Sequence, residues 1–141
     1  MALIADSGAV YALYDARDRH HSAVTQVIED ERGPIVVPMA ILAEIDYLLR
    51  IRLGKRAVAR FLEGIAVGGF TLEPFTSIDL SRCQALLETY ADLELGLADA
   101  SVIATAERKN VRRILTLDER DFRAVRSVDG KPFTLLPADA Q

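Results

Sequence analysis

The chain has 141 residues, half of them hydrophobic, enough for one well-packed core and short for two. Its formal net charge of −4 argues against holding nucleic acid through an overall positive field, and no apolar stretch reaches the roughly 18 to 20 residues of a membrane span. The start at Met1 lacks the basic residues of a secretory leader, so a single domain over 1–141, cytoplasmic and off the membrane, is expected.

Ala2-Leu3-Ile4-Ala5 reads as a short buried strand, and Asp6-Ser7-Gly8 turns it into an apolar helix containing Val10, Tyr11, Leu13 and Tyr14. A second helix is expected over about residues 20 to 31, opened at the surface by His20 and His21. Gly33-Pro34 breaks it before a second buried strand, Ile35-Val36-Val37, which Pro38 stops. From near Met39 to Leu53, Ile41, Leu42, Ile45, Leu48 and Leu49 follow helical spacing, with Gly54 as the C-terminal cap and another helix from Lys55 to about Ala66. Gly68-Gly69 leads into a weaker strand at Phe70-Thr71-Leu72, and Ser77 is placed to cap a helix reaching about Tyr90. The one cysteine, Cys83, sits among Leu80, Leu86 and Leu87 and reads as a small core residue, not a nucleophile. A helix from Asp99 to Lys109, ended by Asn110, precedes the strand Arg113-Ile114-Leu115-Thr116-Leu117. A short helical segment at Glu119–Phe122 and a strand at Phe133-Thr134-Leu135-Leu136 complete the chain.

Short apolar strands separated by helices predict a three-layer α/β/α sandwich around a central, mostly parallel sheet of four to five strands. Ligands of such sheets bind beyond the carboxyl ends of the strands, where connections diverge. Asp6 and Asp118 both fall there. No Gly-x-Gly-x-x-Gly follows the first strand and no Walker-type loop occurs, so neither a dinucleotide nor a nucleoside triphosphate site is indicated.

Taken singly, Asp6, Asp99 and Asp118 each read as acids at a helix start, as caps or partners of the macrodipole. Glu44 resists that reading, because it falls three residues after Ile41 and four before Leu48, on or beside the apolar stripe of its helix. Held together, the four would repel and raise one another's pKa unless a cation joined them. An all-oxygen set without a Cys/His group favours Mg2+ or Mn2+ over zinc. Ser7 and Thr116 are placed to hydrogen-bond neighbouring carboxylates, or to serve local turns. Two basic stretches, Arg50, Arg52, Lys55 and Arg56 in one and Arg112 and Arg113 in the other, read either as solvated helix faces or as contacts to a phosphodiester backbone.

On these residues the chain resembles the PIN-domain ribonucleases, and among them the VapC toxins of bacterial toxin–antitoxin pairs. The resemblance rests on Ile4-Ala5-Asp6-Ser7, on Ala43-Glu44-Ile45, on Asp99-Ala100-Ser101-Val102-Ile103-Ala104-Thr105-Ala106, and on Leu115-Thr116-Leu117-Asp118-Glu119-Arg120-Asp121-Phe122. It departs from the family's pattern at Gly8, where a second hydroxyl or small polar residue is common. It implies an endoribonuclease dependent on Mg2+ or Mn2+, with Asp6, Glu44, Asp99 and Asp118 as its acids. Asp6, Asp99 and Asp118 would hold metal, Glu44 would bind metal or orient water, and Asp121 competes with Asp118 for the fourth place. It also implies a homodimer, a VapB-type antitoxin, and an RNA target such as tRNA or ribosomal RNA. A metal-dependent phosphatase or DNA nuclease, and a fold kept only for binding, are the competing readings.

Overall fold

Five short runs of apolar residues form the strands: Leu3–Ala5 (β1), Ile35–Pro38 (β2), Thr71–Glu73 (β3), Arg113–Leu115 (β4) and Thr134–Leu136 (β5). In the computed structural model, which describes residues 1–140, all pair in parallel, in the order β3-β2-β1-β4-β5. The register sets Ile4 beside both Val36 and Ile114, so β1 is the centre of the sheet. Every residue of β1 and β2 is buried, as strands covered on both faces must be. The sheet is thus fully parallel, within the expected four to five strands.

Helices Ser7–Tyr14 (α1) and His21–Asp30 (α2) connect β1 to β2, and Leu42–Leu53 (α3) and Lys55–Ala66 (α4) connect β2 to β3. A 3-10 turn at Met39–Ile41 leads into α3. Gly54, at φ 92°, lets its N–H return to the carbonyls of Leu49 and Arg50 and reverses the chain between α3 and α4. Ser77–Thr89 (α5) and Leu97–Arg108 (α6) carry the chain from β3 to β4, and Glu119–Ala124 (α7) joins β4 to β5. The connections β1 to β2 to β3 run one way along the sheet, and those from β3 to β4 to β5 run the other. With right-handed crossovers the two sets lie on opposite faces, and they part between the neighbours β1 and β4.

The core centres on α6, where Ala100 through Ala106 are all buried. Its hydroxyls satisfy themselves along the helix, Ser101 donating to the Ala98 carbonyl (2.7 Å) and Thr105 to that of Ser101 (2.8 Å). Asn110, at φ 54°, ends the segment as expected. At the start of α5 the cap is Thr76, not Ser77, because the reciprocal bond needs an acid three residues on, and Asp79 Oδ2 receives the Thr76 N–H at 2.9 Å. Asp79 also accepts from Arg108 (2.9 Å), which reaches Glu73 as well (2.6 Å) and ties α6 to α5 and β3. Cys83 is core, and burial pushes its thiol up to about 11, which leaves it inert.

Candidate metal centre

The acids gather at the carboxyl edge of the sheet where β1 and β4 diverge. Asp6 follows β1 and caps α1: its Oδ1 accepts the Ser7 N–H at 2.8 Å, and its Oδ2 accepts the Thr116 hydroxyl at 2.9 Å. Thr116 lies just past β4, where its hydroxyl also receives the Asp118 N–H (3.1 Å) and so links the two strand ends. Asp99 stands in the first turn of α6, with Oδ2 accepting the Gly96 N–H at 3.1 Å. Asp118 precedes α7 and Asp121 lies within it, one exposed and the other buried. One carboxylate oxygen from each of Asp99, Asp118 and Asp121 lies within 4.8 Å of the others.

Glu44 reaches the edge from the first turn of α3, where it accepts the Ser7 hydroxyl. It is exposed, so of the two expected placements, on or beside the apolar stripe, the structure has the second. The buried stripe of α3 runs through Ile45 and Leu49, extending from Ile41, and Glu44 stands beside it, turned to Ser7.

Electrostatics mark the same place. Burial pushes the Asp6 carboxyl up to about 6, against the hydrogen bonds from Thr116 and Ser7, with Asp99 and then Glu44 adding repulsion. Asp99 is also held above the ordinary carboxylate range, by burial first and then by Asp118, Asp121 and Glu44, with the Gly96 N–H opposing. A hard divalent cation fits this set: the donors are all carboxylate oxygens, three already converge, and the charges of Asp118 and Asp121 help raise the Asp99 carboxyl. Arg120 stands beside them, its Nε 3.7 Å from Asp121 and its side chain largely exposed.

Of the bases named from the sequence, α3 and α4 bring one group to a common flank. Arg52 lies over the Tyr11 ring at 5.0 Å, and Arg56 lines a cavity of about 470 Å3 with Tyr14 and Arg60. Arg60, part of the same basic stretch of the sequence but not among the backbone contacts expected from it, sits over Tyr14 at 5.8 Å, four residues from Arg56 on one helix. Lys55 begins α4, and Arg50 pairs with Asp46 at 3.6 Å. Arg112 and Arg113 are not brought to the site. They stand at the amino end of β4, the far edge of the sheet, where Arg112 pairs with Asp129 and Arg113 with Glu31. Their nearness to Asp118 in sequence was misleading, because a strand separates its two ends by about 3.3 Å per residue.

The sequence matches the family model described as PIN domain over residues 3–128. It is 34% identical to Ribonuclease VapC26 of Mycobacterium tuberculosis over 135 residues, 96% of this chain and 100% of the relative. Among solved structures, VapC20 of Mycobacterium tuberculosis, a sarcin-ricin loop cleaving toxin, superposes with a TM-score of 0.73 at 20% identity, covering 79% of this chain and 86% of that one. VapBC2 of Rickettsia felis, solved bound to a DNA fragment from its promoter, gives a TM-score of 0.68 at 13% identity, covering 96% and 97%. At those identities the two structures speak to the fold.

Proposed function

This chain belongs to the PIN-domain family, and from that premise we propose that it is a VapC-type toxin, a metal-dependent endoribonuclease whose whole length, 1–141, forms one catalytic domain. The observation that carries the reading is the convergence of Asp99, Asp118 and Asp121 at the strand ends beside buried Asp6. Asp6, Asp99 and Asp118 hold Mg2+ or Mn2+, and Asp121 stands close enough to share that duty.

A bound divalent cation activates water for attack at phosphorus and offsets the charge that builds on the scissile phosphate. The chain's own residues supply the rest. Thr116 fixes the Asp6 carboxylate from one side and the Ser7 backbone from the other, so Asp6 presents its free lone pairs in one direction. Ser7 steadies Glu44, which orients the attacking water from the α3 side. Arg52, Lys55 and Arg56, with Arg60, grip the RNA backbone along the α3–α4 flank, giving affinity without reading sequence. Hydrolysis leaves a 5′-phosphate and a 3′-hydroxyl.

The substrate in this reading is structured RNA, tRNA or a ribosomal loop, recognised by shape and by unstacked bases. The protein works in the cytoplasm as a homodimer restrained by a VapB-type antitoxin. A family match and a ribonuclease relative support the nuclease part of this reading, and toxin–antitoxin complexes among the structural neighbours support the antitoxin. The test is to free the protein of antitoxin, incubate it with structured RNAs in Mg2+, Mn2+ or chelator, and sequence the new 5′-phosphate ends. Cleavage that continues in chelator would remove the metal from the mechanism.

A further inference from the structure

A second hollow adjoins the carboxylates on the same edge of the sheet. It has about 230 Å3 of space between His20 just before α2 and Ala23 within it, Thr116, Leu117 and Glu119 beyond β4, and Pro137 and Ala138 beyond β5. The segment Thr116–Glu119 has two sides. Asp118 turns to the acids and the Thr116 hydroxyl holds Asp6, while Leu117 and Glu119, on either side of Asp118, line the hollow. A strand whose phosphate lies over the carboxylates therefore has its neighbouring nucleotide beside this space.

The chemistry of the walls selects what enters. No lysine or arginine lines the hollow and Glu119 does, so a phosphate is disfavoured there. Ala23, Leu117, Pro137 and Ala138 give apolar walls, and His20 adds an aromatic ring whose Nε2 accepts from Arg19 Nε at 3.1 Å. Glu119 shares one oxygen with Arg123 at 3.1 Å and stays half exposed at the rim, as an acceptor. The volume is below that of pockets for drug-sized ligands and suits one ring system. Apolar faces with a donor-bearing edge describe a nucleobase.

We propose that this hollow is the subsite for one unstacked RNA base next to the cleaved phosphate, preferring bases with an exocyclic amino group that donates to Glu119. It rests on the ribonuclease reading, since stacking of splayed bases on aromatic side chains is how single-stranded RNA is read.

The test uses the full chain in chelator, followed by NMR of the His20 ring and the Ala23 and Ala138 amides. Cytidine 5′-monophosphate should shift these signals saturably and several-fold more tightly than uridine 5′-monophosphate, and ribose 5-phosphate should leave them in place. Ala23→Phe should abolish the shifts, and should weaken single-stranded RNA binding roughly tenfold, the order one stacked base contributes. His20→Ala gives a second variant should Ala23→Phe lower the melting temperature. Three results overturn the proposal: no shift at the solubility limit of the nucleotide, ribose 5-phosphate acting as well as the nucleotide, or N-acetylphenylalanine amide acting better, which would make the hollow a peptide site. Equal response to both nucleotides overturns the preference for an amino group. No divalent cation is needed for this readout, so lost base binding with intact cleavage sinks the subsite alone, and intact base binding without cleavage sinks the ribonuclease reading alone.

Discussion

Asp6→Asn offers the sharpest test of the site, because its effect on stability has the opposite sign to its effect on activity. Burial lifts the Asp6 carboxyl from the ordinary 3.8 to about 6 in the folded protein. Between those values the native state keeps a proton that the unfolded chain has lost, so the metal-free protein loses stability as pH rises from about 4 to about 6. A shift of about 2.2 units (6 − 3.8), at 1.36 kcal/mol each, amounts to about 3 kcal/mol of stability present below pH 4 and gone above pH 6. Asparagine carries no such charge. In chelator at pH 7 the variant should therefore be more stable by up to about 3 kcal/mol, a rise in melting temperature of roughly 6 to 12 °C for a chain of this size. Part of that gain is lost if the amide cannot reproduce the acceptor that Thr116 and Ser7 now use.

The assay is chemical or thermal denaturation of both proteins across pH 4 to 8, in chelator and in Mn2+. The parent should show the falling limb in chelator and recover stability in Mn2+, by about 2.7 kcal/mol at a hundredfold excess over Kd. The variant should lose the share of the limb that Asp6 supplies, leaving the shallower one of raised Asp99, should recover less in Mn2+, and should not cleave RNA. A variant less stable than the parent at pH 7, or one that keeps the same slope, would refute the reasoning and return Asp6 to the role of a plain helix cap.

Three further outcomes follow from the geometry. Thr116→Val removes the hydroxyl that holds Asp6 Oδ2, which should push the Asp6 carboxyl higher still and weaken Mn2+ binding 10- to 100-fold by calorimetry. Asp118→Asn and Asp121→Asn should each lower Mn2+ affinity at least about tenfold, since both carboxylates share the approach to Asp99, and an Asp121 variant that binds like the parent would leave Asp118 as the working acid. Arg108→Ala leaves buried Asp79 without its guanidinium and should cost about 1 to 2 kcal/mol by urea denaturation, with Mn2+ affinity unchanged because the pair lies away from the carboxylates.

The strand-then-acid pattern made much of the site legible. Leu3–Ala5 and Arg113–Leu115 are apolar enough to be read as buried strands, and once both are parallel the acids that follow them must share an edge. What the sequence could not convey was distance across the fold. Arg113 is five residues from Asp118 and looked like a neighbour, yet the strand between them sends it to the other edge, into Glu31. Asp121 has the converse history: three residues are nearly one helical turn and bring its carboxylate back to Asp118, which spacing suggested, but the meeting of both with Asp99 depends on how α6 enters the core. Glu44 shows the limit of reading a helical stripe, because its spacing allowed a place on or beside the stripe and only the fold set it beside, exposed and turned to Ser7.

Cap and ligand, the two roles the sequence left open, do not exclude one another. Asp6 caps α1, Asp99 accepts a backbone N–H in the first turn of α6, and Asp118 sits just before α7, so each acid takes the place at a helix start that its local sequence favours. These helices begin at one edge of one parallel sheet, and that topology brings their acids together. A backbone N–H occupies one lone pair of a carboxylate and leaves others free, so capping fixes the orientation of Asp6 and Asp99 without using up their capacity to bind. Local stability and the repulsion among the acids therefore have the same origin: helix starts that accept negative charge one at a time are assembled where their sum calls for a cation. A domain kept only for binding would gain from losing the buried charge at Asp6, whereas one that hydrolyses phosphodiesters has a use for every oxygen the caps leave free.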